Sequence, residues 1–126
     1  MATHSILIVD DDEFLLDMYS LKFRQSEFDV NIASGGVEAL EKIKKGLEPD
    51  AVLFDLVMPD MDGFEFLTNV KKENLLKNSK MVVLTNLGQK EDIEKGAKLG
   101  ADDYIIKAYF TPTEVVNKIK SLIAGA

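Results

Sequence analysis

The chain of 126 residues has no cysteine and no tryptophan, one histidine, three prolines and no long apolar run. Without cysteine there are no thiol nucleophiles, disulfides or cysteine-ligated metals, which agrees with a reducing compartment. No stretch approaches the ~18 apolar residues that a membrane span needs. The opening Met1-Ala2-Thr3-His4-Ser5 lacks the basic and apolar regions of a secretory signal. A cytoplasmic location with no membrane partner is therefore expected. Basic residues are in deficit, 15 against 22 acidic, for a formal charge of −7. That balance argues against nucleic acid as a primary partner and favours basic partner surfaces. Repeats, low-complexity tracts and linkers are absent too, and only Ala124-Gly125-Ala126 follows the last periodic segment. One domain over residues 1–126, with no output domain, is the expectation.

What the chain does have is 46% hydrophobic residues, enough for a core that buries about two thirds of the unfolded surface. Short apolar runs alternate with segments of helical period, the pattern of a parallel sheet covered on both faces by helices. The fold class is α/β. Strands are expected at Ser5–Asp10, Val30–Ala33, Ala51–Phe54, Met81–Leu84 and Asp103–Ile106. Phe14, Leu15, Met18, Leu21 and Phe23 predict the inward face of a first helix, with Asp12 or Glu13 at its start. Val37, Leu40, Ile43 and Leu47 predict a second. A third begins near Gly63 and carries Phe64, Phe66, Leu67 and Val70. A fourth runs from Gln89 to Leu99 and ends on Gly100. The last opens at Pro112, with Val115, Val116, Ile119 and Leu122 inward.

Four apolar runs end on residues suited to phosphate and magnesium chemistry: Asp10-Asp11-Asp12, Asp55, Thr85 and Lys107. Parallel α/β sheets bind ligands outside the carboxyl ends of their strands, where all four would lie. Each has an ordinary alternative. The acidic triplet can cap a helix, Thr85 can do the same, and Lys107 can be a solvated charge. Taken together, carboxylates that share a site repel one another unless a cation neutralises them, and magnesium prefers oxygen ligands and suits phosphate. Lys107 would then pair with Asp55 or with a phosphoryl oxygen, and Thr85 would donate to that oxygen.

These residues resemble the receiver domains of two-component response regulators, most closely the single-domain CheY-like kind. Ile6-Leu7-Ile8-Val9-Asp10-Asp11 is similar to the family's acidic pair, and Asp55-Leu56-Val57-Met58-Pro59-Asp60-Met61-Asp62-Gly63 to its phosphoacceptor loop. Leu84-Thr85 resembles its switch hydroxyl, and Gly100-Ala101-Asp102-Asp103-Tyr104-Ile105-Ile106-Lys107 its aromatic and lysine strand. The resemblance implies a flavodoxin-like three-layer α/β/α sandwich with a five-stranded parallel sheet in the order 2-1-3-4-5. It makes Asp55 the phosphoacceptor and assigns Mg2+ to Asp10, Asp11, Asp55 and the Val57 carbonyl, with Asp10 acting through a water. Thr85 and Lys107 would grip the phosphoryl group. Thr85 and Tyr104 would form the switch, Tyr104 moving inward and reshaping the face of the fourth helix, fifth strand and fifth helix. The implied partners are a histidine kinase or histidine phosphotransfer protein and a downstream target protein, the chain being a monomer or a phosphorylation-dependent dimer. It would be no enzyme but a domain that assists its own phosphorylation and dephosphorylation. His4, the only histidine, is read as a solvated side chain, so the donor is external.

The sequence departs from the family at Ala108, where most receivers have a proline, so the Lys107-Ala108 peptide is open to either isomer and Lys107 to a different aim. Asn86 replaces a small residue after the switch hydroxyl. Val57 and Leu87, both apolar, flank the implied path of the hydrolytic water and predict a long-lived phosphorylated state. Competing readings fare worse. A haloacid-dehalogenase-like phosphatase needs a second aspartate where Val57 stands. A calcium loop aligned on Gly63 puts Met58 and Asn69 where carboxylates belong, and Gly35-Gly36 lacks the lysine and hydroxyl of a P-loop. A receiver-shaped module that binds partners without phosphorylation is the remaining alternative.

Overall fold

A computed structural model describes residues 4–125. Five strands, β1 (His4–Val9), β2 (Phe28–Ala33), β3 (Ala51–Phe54), β4 (Lys80–Thr85) and β5 (Asp103–Ile106), form one parallel sheet ordered β2-β1-β3-β4-β5. Five α-helices cross between them or close the chain: α1 (Glu13–Gln25), α2 (Gly36–Lys44), α3 (Gly63–Lys72), α4 (Lys90–Lys98) and α5 (Pro112–Ala124). A 3-10 turn at Lys107–Tyr109 joins β5 to α5. The layering follows from the strands. Side chains alternate across a strand, and here both sets are apolar. Leu7, Val9, Val52, Phe54, Met81 and Val83 pack with α2 and α3, whereas Ile6, Ile8, Leu53, Val82, Leu84 and Ile105 pack with α1 and α5. Among the described residues, no helix is long and apolar enough to cross a membrane.

Strand and helix starts match expectation closely, because the punctuation is chemical. Asp12 caps α1 by accepting the Phe14 and Leu15 N–H groups, at 3.0 and 3.2 Å. Asp62 caps α3 through the Glu65 N–H. Thr111 and Glu114 form a reciprocal capping box ahead of Pro112. Gly100, at φ 104, takes the left-handed turn that ends α4.

The expected inward face of α1 needs correction. Its buried residues are Leu16, Tyr19, Ser20 and Phe23, a stripe spaced i, i+3, i+4, i+7, with Leu15 and Met18 at the margin. Phe14 and Leu21 point outward, 76% and 56% exposed. Apolar residues cover more than half of the α1 circumference, so their spacing alone does not say which part of that wide arc faces inward. In α2, Val37 is likewise exposed while Ala39, Leu40 and Ile43 are buried.

Candidate functional site

Register brings the first two acids together. Val9 of β1 lies level with Phe54 of β3, so Asp10 and Asp55 leave the sheet side by side. The Asp55 N–H donates to the Val9 carbonyl, which keeps the two strand ends in step. Sheet order reverses here, since α1 departs to one face and α3 to the other, and the gap between the departing loops is the crevice. Thr85 ends β4 level with Ile106 of β5, and Lys107 follows at once.

Lys107 comes from two strands away, and its extended side chain covers the gap. Its Nζ donates to Asp10 Oδ2 and to Asp55 Oδ2, both at 2.9 Å. The three side chains are 10%, 4% and 11% exposed, so this is a shielded ion-pair cluster rather than a surface contact. The Lys107-Ala108 peptide is trans, and the lysine reaches the acids regardless. Ala108 does not misdirect the side chain, whose Nζ meets both carboxylates.

Backbone donors fix the remaining oxygens. Asp55 Oδ1 accepts the Leu56 and Val57 N–H groups at 2.7 and 3.3 Å, and Asp10 Oδ1 accepts that of Asp12 at 3.0 Å. Asp11 is exposed and completes the set. Oxygens of Asp10, Asp11 and Asp55 lie within 4.8 Å of one another, a spacing that one cation can bridge. Three carboxylates face a single ammonium, so excess negative charge stays uncompensated and hard-cation binding suits the donor set. Burial is the largest influence on Asp10 and lifts its pKa above the usual carboxylate value. The Asp12 N–H and Lys107 oppose the lift, and the Asp55 charge adds to it. Burial disfavours the Lys107 charge, but the hydrogen bonds to Asp55 and Asp10 outweigh it and hold the ammonium pKa above its usual value.

Thr85 is fully buried, and its Oγ1 accepts the Leu87 N–H at 3.4 Å. The Tyr104 hydroxyl donates to the carbonyl of that same Leu87. Tyr104 is half-buried, its ring against Gly96 of α4. Burial, then the charges of Asp92 and Asp55, push its pKa up to about 12. The Leu87 peptide thus links Thr85 to Tyr104. Sequence reasoning missed this link, since Leu87 acts through its backbone and no side-chain pattern announces it. Gly63, read as a helix start and as the close of the loop that follows Asp55, also donates its N–H to the Leu56 carbonyl and so clamps α3 to that loop. Val57 and Leu87 have side chains 59% and 39% exposed beside the crevice, and Asn86 is exposed.

The fold is a doubly wound parallel α/β sheet with an acidic crevice, a lysine and a hydroxyl at its carboxyl rim. The profile of the response regulator receiver domain matches residues 6–120, and the chain belongs to that family. Transcriptional regulatory protein SrrA of Staphylococcus aureus is 33% identical over 121 residues, which cover 96% of this chain and 48% of SrrA. The chain thus spans about half the length of the curated relatives it matches. A CheY-like receiver domain protein from Methanospirillum hungatei superposes with a TM-score of 0.88 at 32% identity, covering 97% of this chain and 94% of that one. The Francisella response regulator 1452 receiver domain gives 0.87 at 28% identity, covering 98% of both chains. Chemotaxis protein CheY4 of Vibrio cholerae gives 0.86 at 29% identity, covering 94% of this chain and 98% of its own. Receiver domains are signalling domains that act with histidine kinases and downstream effectors and generally use magnesium at the acidic pocket.

Proposed function

We propose that this domain accepts a phosphoryl group on Asp55 from a histidine kinase or histidine phosphotransfer protein and passes the signal to a downstream target protein. One observation carries the reading: a single ammonium at 2.9 Å from both Asp10 and Asp55 in a shielded crevice. An isolated lysine would remain in water, and paired acids would avoid one another. Their convergence suits a group whose transfer moves negative charge through the site.

In the reaction, an Asp55 oxygen attacks phosphorus while the P–N bond to the donor imidazole breaks, its electron pair returning to the ring. The Leu56 and Val57 N–H groups hold the Asp55 carboxylate in place for attack. Lys107 turns from the acids to a phosphoryl oxygen, and the Thr85 hydroxyl takes another. Asp11, Asp55 and the Val57 carbonyl would hold Mg2+, with Asp10 acting through a water. Bound there, the ion supplies electrostatic relief of the charge on the phosphoryl oxygens. When Thr85 turns to the phosphoryl group it releases the Leu87 N–H, and Tyr104, bonded to the Leu87 carbonyl, follows. The change reaches the face of α4, β5 and α5, where the target binds. The protein works in the cytoplasm, as a monomer or as a dimer formed on phosphorylation.

Incubation with acetyl phosphate and Mg2+, followed by intact mass, tests the assignment. A single phosphoryl addition that is absent in Asp55→Asn is expected. An unmodified wild-type chain would favour a module that binds partners without phosphorylation.

A further inference from the structure

We infer that the chain carries a ligand site at the pole opposite Asp55, one that takes a small zwitterion of amino-acid or dipeptide size. The inference stands apart from the proposed reaction. The loop between α2 and β3 and the loop between α3 and β4 enclose a cavity of about 430 Å3 there, within the range of small-molecule pockets. Glu48 and Asp50 line it from the first loop, and Asn74, Lys77 and Asn78 from the second. The loops are tied together. The Ser79 hydroxyl donates to the Pro49 carbonyl, and the Lys80 N–H to the Asp50 carbonyl at 2.9 Å. Asp50 Oδ2 also accepts the Ser5 N–H at 2.8 Å, which fixes that carboxylate. Strand β3 separates Asp50 from Asp55, so about 16 Å lies between the cavity and the acidic crevice.

Unlike charges that share a small space ordinarily close on each other. Here, among the described residues, Lys77 forms an ion pair with neither Glu48 nor Asp50, although all three line the cavity. The gap stays open because the second loop has little freedom. Asn74 and Leu76 sit at φ 55° and 52°. Asparagine tolerates that left-handed region, but leucine rarely adopts it, and residues held in this way gather at ligand clamps. The Leu76 side chain packs on the core and anchors the turn. The charges then select the ligand. An anion would be repelled by Glu48 and Asp50, and a cation by Lys77. A molecule with an ammonium at one end and a carboxylate at the other suits both walls, and the two amides supply further donors and acceptors.

Amide NMR titration of the whole chain tests this, in wild type, Lys77→Met and Glu48→Gln, both at exposed positions. The probes are L-alanine, glycylglycine, N-acetylglycylglycine, which lacks the ammonium, and glycylglycinamide, which lacks the carboxylate. L-Alanine or glycylglycine is expected to move the amides of residues 48, 50 and 74–79 saturably at millimolar concentration, and the tighter of the two names the source. Each blocked peptide should bind about tenfold more weakly than glycylglycine, and each variant about tenfold more weakly than wild type, the worth of one charge-assisted hydrogen bond. No saturable shift with either zwitterion, or an equal response to the blocked peptides, would overturn the inference. So would variants that bind as wild type does, or shifts confined to residues around Asp55.

Discussion

Two glycine-to-alanine replacements should move stability in opposite directions, for reasons that the packing supplies. A Cβ on Gly63 would lie 2.8 Å from the Leu56 Cα and 2.9 Å from its Cδ2, and closer still to the Asp55 carbonyl oxygen. Two of those atoms belong to the backbone of the loop that carries Asp55, so no rotamer change relieves the collision. Either α3 shifts outward by several tenths of an ångström or the loop carrying Asp55 is displaced. Overpacking against rigid neighbours costs about 1–3 kcal/mol, and a backbone clash lies at the upper end. Gly96 differs. It is buried within α4, where glycine loses about 0.8–1 kcal/mol relative to alanine. Its Cβ would meet the Tyr104 ring at 3.4 and 3.6 Å, ordinary van der Waals contact. For a chain of this length a change of 1 kcal/mol moves the melting temperature by about 4 °C. Far-ultraviolet circular dichroism melts should therefore show Gly63→Ala about 12 °C below wild type and Gly96→Ala about 4 °C above it. A Gly63→Ala protein within about 4 °C of wild type would refute the clamp between α3 and the Asp55 loop. A lower melting point for Gly96→Ala would refute the reading of its surroundings.

Two further outcomes follow from the crevice. Replacing Val57 by Asn together with Leu87 by Glu puts water-orienting groups at two exposed positions beside Asp55, and should shorten the lifetime of the phosphorylated state about tenfold, or ~1.4 kcal/mol of barrier. Unchanged half-lives of the labelled protein would show that these side chains do not control water access. Tyr104 has its folded pKa raised to about 12 from a model-compound value of 10.0, so its neutral form is favoured by folding. The stability it contributes is complete below pH 10 and is lost as pH rises toward 12. Burial raises Tyr19 as well, so spectrophotometric titration should show a late phenolate rise that Tyr104→Phe reduces by one tyrosine's share, and a Tyr104→Phe curve that keeps the full late rise would contradict the assignment.

Much of the molecule was legible in one dimension. Buried parallel strands must be apolar on both faces, so each announced itself as a short continuous run, and Asp12, Gly100 and Pro112 marked helix ends by local hydrogen bonding and dihedral preference. The residues at the strand ends were legible for the same reason, because chemistry placed directly after a strand lands on one rim. Family resemblance then supplied strand order and roles that neither composition nor spacing contains.

Tertiary structure decided what depends on distance. Which part of the wide apolar arc of α1 faces inward could not be read from spacing alone, and only packing against β1, β2 and α5 turned Phe14 and Leu21 outward. Whether Lys107 still reaches the acids with Ala108 after it depended on how the chain leaves β5, and its Nζ meets both carboxylates. The bridge from Thr85 through the Leu87 peptide to Tyr104 runs partly through backbone atoms, which every residue carries and no sequence pattern distinguishes. Side-chain type is written in the order of residues, whereas the sharing of one ammonium between acids 97 and 52 positions away exists only once the sheet has closed.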